Sequence, residues 1–274
     1  MIKVIGNSLN SVNKKVLDKM NKMDLRFIKK EIISQIENGA SFIEINASSL
    51  LNKEVEFLRT VIPVIEDMGA GACVISNNIQ SMIEAIKVSE KDILIGTIEF
   101  DEQKYVPIAE MIKKEEDREV KIIAHINDIE DGKIQPEKSL LVAQRYVDSL
   151  LDLGVRRKNI LLYPEIKALD DDFYYAKDLL TTLELFKLDF PRVNTILNVF
   201  YISDGLPKRH IITSYFAALA ISRGLDYIVA NINNIHIREA IITTQSILGK
   251  DKNFQLYLEF CKKNKTIKEC EEDE

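Results

Sequence analysis

Short apolar runs rich in isoleucine and valine recur along the chain. Longer stretches with apolar residues three and four apart separate them. Eight runs read as strands: KVIGNS (3–8), FIEINA (42–47), GACVISN (71–77), DILIGTIE (92–99), VKIIAHIN (120–127), NILLYPEI (159–166), NTILNVFYIS (194–203) and DYIVANI (226–232). The stretch DLRFIKKEIISQIENG shows the intervening pattern. Leu25, Ile28, Ile32, Ile33 and Ile36 share a helical face, and Gly39 ends the helix. PEKSLLVAQRYVDSLLDLG ends in the same way at Gly154, while Pro136 and Pro207 fit first-turn positions. A last unit starts near Ile235, and an extra helix follows around Phe254 to Cys261. Eight strands, each followed by a helix, predict a (β/α)8 TIM barrel. A doubly wound sheet is the main rival, but the first loop, IGNSLNSVN, lacks GxGxxG. No Pro/Gly/Ser linker splits the chain, so 1–264 reads as one barrel domain. The acidic end, 265–274, reads as a solvated tail.

Composition narrows the function classes. A formal charge of −6 argues against nucleic-acid binding, which needs a concentrated basic face. The cysteines, Cys73, Cys261 and Cys270, are odd in number and widely spaced, which excludes a disulfide framework and points to a reducing cytoplasm. His125, His210 and His236 show no metal-binding spacing, so no protein-bound metal is expected. The N-terminal MIKVIGNS is a strand pattern with no secretory leader, and no apolar run approaches the ~20 residues that span a bilayer.

In (β/α)8 barrels the active site lies at the C-terminal strand ends. Amides gather there: Asn46, Asn77, Asn78, Asn127, Asn198, Asn231 and Asn233, with Asn7 on the first strand. An amide donates and accepts, which suits a flat heterocycle with mixed edges. Asparagine also favours turns and caps, and Asn78 is placed to cap a helix starting at Ile79. Singly each amide fits that structural duty; as a set they point to a polar ligand pocket. Glu44 lies between Ile43 and Ile45, so alternation turns it to the same side as Asn46. If that side is the barrel interior, its carboxylate is paired or functional. Arg209 opens a helix after a Gly-Leu-Pro turn, where a cation opposes the helix dipole and suits an anionic ligand group. His125 shares a face with Asn127 and fits either an acid or base or, the commoner case, a hydrogen-bonded core histidine. Cys73, within a buried strand, reads as inert.

The segments VIGNSLN, GASFIEINAS, CVISNNIQSMIEA and YISDGLPKR…FAALAISRGLDYIVAN resemble those of the pterin-binding methyltransferases. That family includes the methyltetrahydrofolate:corrinoid methyltransferases and the folate domain of cobalamin-dependent methionine synthase. More distantly it includes dihydropteroate synthase. The resemblance runs over nearly the whole chain, and the GLPxR and GLD spacing is its most specific part. It implies methyltetrahydrofolate or a related pterin bound in the barrel mouth, and transfer of the N5 methyl group to a cobalt corrinoid carried by a partner protein. It also implies a homodimer. Carried over, it makes Glu44, Asn46, Asn78, Asn127, Tyr163, Glu165, Arg209 and Asn7 the substrate-binding set, with Tyr201 beside the transferred methyl.

The chain departs from the family pattern at several of these positions. Glu44 stands for an aspartate, Ile75 and Tyr163 replace carboxylates, Tyr201 replaces the N5-facing asparagine, and Asp204 replaces a phenylalanine. A buried donor left without an acceptor costs about 1–3 kcal/mol; Glu165 is placed to substitute for one lost carboxylate. The alternative is a diverged barrel, impaired in catalysis, that binds another small molecule or partners a corrinoid protein or active homologue. A dihydropteroate synthase-like condensation ranks last.

Overall fold

The computed structural model describes residues 1–127, 134–169 and 174–264. Cys270 and the proposed tail, 265–274, lie outside the described residues. Eight parallel strands close a barrel in sequence order: β1 (Lys3–Asn10), β2 (Phe42–Asn46), β3 (Gly71–Ile75), β4 (Ile93–Ile98), β5 (Val120–Ile126), β6 (Ile160–Pro164), β7 (Asn194–Asn198) and β8 (Tyr227–Ala230). This is the (β/α)8 barrel that the apolar rhythm predicts. The helices outside it are α1 (Lys14–Asn21), α2 (Leu25–Glu37), α3 (Glu54–Asp67), α4 (Ile79–Val88), α5 (Glu102–Lys114), α6 (Pro136–Asp152), α7 (Tyr175–Asp189), α8 (Arg209–Ser222) and α9 (Ile235–Ile247). The extra helix is α10 (Gln255–Lys263). No described helix is long and apolar enough to cross a membrane.

Strand alternation produces two apolar layers. On β2, Ile43 and Ile45 face the helices and join the large outer core. Phe42 faces inward and packs with Ile5, Cys73, Leu94, Ile123 and Leu161 inside the barrel. Positions two residues further up the strands (Glu44, Ile75, His125, Tyr163 and Asn198) therefore occupy the mouth.

Three local details differ from the sequence expectations. The strand expected over 194–203 stops at Asn198, whose side-chain oxygen accepts from Phe200 N at 3.2 Å and turns the chain into a 3₁₀ turn, Tyr201–Ser203. Ile33 is exposed; the buried place on α2 goes to Gln35, which accepts from Ser8 N at 3.1 Å. A Cβ on Gly6 would stand 2.2 Å from the Gln35 carboxamide oxygen, so any larger residue there requires that side chain to move. Pro207 precedes α8 by two residues, and Lys208 between them takes a left-handed conformation. By contrast Pro136 opens α6, and Gly39 and Gly154 have the positive φ of helix ends.

Candidate active site at the barrel mouth

Glu44 reaches the mouth from β2 and is only 4% exposed. Burial pushes its pKa up to about 7. No protein group bonds its carboxyl among the described residues. The phenols of Tyr163 and Tyr201 are near enough to feel its charge. Burial pushes both phenols up, Tyr163 well above the ordinary tyrosine range. Neither hydroxyl has a hydrogen-bond partner among the described residues. Buried polar groups are normally bonded. Glu44, Tyr163 and Tyr201 thus present three uncommitted polar groups toward one space. Cys73 is fully buried beside Glu44, and its thiol is pushed well above the usual range by burial and then by that carboxylate.

Two pockets open on this face. One, of about 530 Å³, lies at the ends of β1, β7 and β8, where Asn7, Asn198, Tyr201 and Asn231 contribute to its wall. Tyr201 is 39% exposed and forms part of its rim. The other, of about 340 Å³, lies beside β3 to β5 and is lined by residues including Ser76, Asn77, Thr97, Glu99, Lys104 and His125. Tyr163 links them: its ring packs against the His125 ring at 5.6 Å and senses Tyr201 and Glu44.

The amides divide by duty. Asn46 accepts from Ser48 N at 3.3 Å, and Asn198 supports the turn after β7. Asn78 caps α4, accepting from Gln80 N at 2.9 Å and Ser81 N at 3.4 Å. Asn233 accepts from Ser34 Oγ and Asn38 Nδ2 on the barrel's outer side. Asn7 and Asn231 line the larger pocket, and Asn127 stands exposed just past β5.

Arg209 is committed to its own loop. Its guanidinium lies 3.7 Å from the centre of the Phe200 ring, donates to Phe200 O at 2.9 Å and Ser203 Oγ at 3.3 Å, and pairs with Asp204 at 3.0 Å. The anionic partner that its first-turn position calls for is Asp204, within the same loop.

Sequence reasoning treated His125 as a core residue and did not join it to Glu165. Its Nε2 lies 2.5 Å from Glu165 Oε2. Glu165 is fixed at both ends of its peptide: its N–H donates to Ile126 O at 3.1 Å, and its carbonyl accepts from Tyr175 OH at 2.9 Å. The β5–β6 register sets His125 opposite Tyr163, with Glu165 two residues beyond. That register carries the pairing and is not written in either strand alone.

The chain is similar to several known proteins. A methylcorrinoid:tetrahydrofolate methyltransferase of Eubacterium limosum is 21% identical over 255 residues, covering 93% of this chain and 94% of that protein. The chain is similar to this methyltransferase over nearly its whole length. Two dihydropteroate synthase structures share the fold of this chain. The Yersinia pestis enzyme aligns with a TM-score of 0.62 at 13% identity, covering 90% of this chain and 93% of that one. The Vibrio fischeri enzyme aligns at 0.63 and 17%, covering 91% and 94%. No protein-family model matches the chain.

Proposed function

We propose that this barrel exchanges a methyl group between N5 of a tetrahydrofolate and the cobalt of a corrinoid carried by a partner protein. The observation that carries this reading is the set of uncommitted polar groups at the mouth, with the buried Glu44 carboxyl at its centre. A pterin presents a guanidine-like edge rich in N–H donors. Such an edge supplies the hydrogen bonds that Glu44 lacks, which favour its charged form and offset the burial that raises its pKa. Asn7, Asn46, Asn127 and the NH2 group of Asn78 are the amides within this reading. Tyr201 stands beside N5, its hydroxyl replacing the amide that the family pattern places there. The protein's contribution is positioning and electrostatics, since the cobalt carries the bond-making chemistry.

The relative's name runs the transfer from methylcorrinoid to tetrahydrofolate, the reverse of the direction implied by the sequence resemblance. One site serves both directions, because the two share a transition state. Exposed Val12, Leu51 and Phe100, on the loops after β1, β2 and β4, support docking of a corrinoid protein over the mouth. A homodimer through the outer helices belongs to the same reading. It is supported by Ile211, Tyr215 and Leu219, exposed four residues apart along α8.

The rings of Tyr163 and Tyr201 favour the second reading, a barrel impaired in transfer, because they occupy positions where the family pattern has smaller carboxylate and amide groups. Calorimetric titration with tetrahydrofolate and methyltetrahydrofolate separates the cases when paired with an anaerobic optical assay of methyl transfer from methylcobalamin. Binding with transfer is expected. Binding without transfer selects the second reading, and absence of binding removes the folate assignment.

A further inference from the structure

The His125–Glu165 pair has no counterpart among the amide positions that the family resemblance brought to this site. Its geometry is that of an oriented base. A carboxylate at Nε2 holds the ring in the tautomer protonated there, which leaves Nδ1 as the basic nitrogen. No group bonds Nδ1 among the described residues. The ring lines the pocket of about 340 Å³ beside β3 to β5, and Tyr163 packs against it at 5.6 Å. Among the described residues, the charged groups facing it are Glu165 from the loop after β6 and Glu99 from the loop after β4. Lys104 on α5 also lines this pocket, and it forms an ion pair with Glu99. Glu165, at 2.5 Å, is the nearer carboxylate to stabilise the cation that proton uptake creates, with Glu99 adding to it from further off. Two backbone hydrogen bonds fix Glu165 for that task.

We propose that His125 is the catalytic base that removes the N5 proton when tetrahydrofolate is methylated, and the acid that returns it in the reverse direction, with Glu165 as its positioning residue. This inference rests on the folate reading above. In this proposal the pterin lies over Tyr163, between the two pockets, so that N5 sits between Tyr201 and His125. In the methylation direction the N5 lone pair forms the N5–C bond. The cobalt–carbon bond breaks and its electron pair stays on cobalt. The N5 proton passes to His125 Nδ1 and then to solvent. Glu165, which the family resemblance placed on the pterin, instead acts through the imidazole.

The test uses the full-length protein with tetrahydrofolate and methylcobalamin under anaerobic conditions. Calorimetry measures folate binding separately from transfer. His125→Gln is expected to bind tetrahydrofolate as the wild type does. Its kcat is expected to fall by about 10²–10⁴-fold, the usual contribution of a positioned base. The acid limb of the wild-type pH–rate profile should vanish with it. His125→Ala should regain rate when imidazole is added. Glu165→Gln should lower kcat at unchanged KM. A wild-type rate and pH profile in His125→Gln overturns the role, as does an alanine variant that binds folate but ignores imidazole. Failure of the wild type to bind tetrahydrofolate overturns the functional reading itself. Binding and transfer by the wild type with unaffected variants overturns only the role of His125.

Discussion

Burial works against the charge on Glu44. Its native pKa of about 7 lies above the unfolded value of 4.5, so the folded chain keeps a proton that the unfolded chain releases. Raising the pH between those values favours unfolding, and stability falls through that window and levels above it. At about 1.4 kcal/mol per pKa unit, the loss is about 3 kcal/mol. Glu44→Gln lacks this penalty. Its urea-unfolding free energy should match the wild type near pH 4.5 and exceed it by up to about 3 kcal/mol at pH 8. The same variant should bind tetrahydrofolate more weakly, because one oxygen of the acceptor pair becomes a donor. A pH-independent stability difference would show that Glu44 is ionised and paired in the native barrel. Tyr201 poses the complementary case: its phenol can donate, yet its ring takes space that an asparagine leaves open.

Elements were more legible than contacts. All eight strands followed from their apolar runs, because the pleat enforces a two-residue period that sequence displays directly. Gly39 and Gly154 marked helix ends for an equally local reason. Gln35 was not legible as a core residue. Its burial depends on a backbone N–H of β1 and on the absence of a side chain at Gly6. The His125–Glu165 contact depends on which residues of β5 and β6 lie side by side. Asn78 sits between these cases: its capping role was readable from its place before Ile79, and any ligand role was not. Asn78→Ala should cost about 1 kcal/mol of stability through the lost cap. Asn78→Asp keeps the capping oxygen and removes the NH2 donor, so it should preserve stability and weaken folate binding. Thermal unfolding and calorimetry on the two variants check this; equal folate affinity in wild type and Asn78→Asp would confine the residue to its cap.

On the scale of the whole molecule, the closed barrel buries its apolar surface in two layers, inside the sheet and between sheet and helices. The stripe on α8 remains outside both, with Tyr215 72% exposed. If it pairs two copies, light scattering should give twice the chain mass of 31.4 kDa, and Tyr215→Asp should give the single mass. A wild-type monomer at micromolar concentration would leave that stripe to another partner.

The loop after β7 has a consequence for how such a protein can change over generations. Arg209 secures the segment through the Phe200 ring, two main-chain or hydroxyl acceptors and Asp204. The most recognisable stretch of the chain thus holds a loop shape through its own contacts. Within that secured frame Tyr201 is exposed at the rim and makes no hydrogen bond through its hydroxyl that the loop needs. Its identity can drift while the frame stays intact, so a resemblance carried by GLPKR reports the shape of this loop and leaves the side chain at position 201 free to vary.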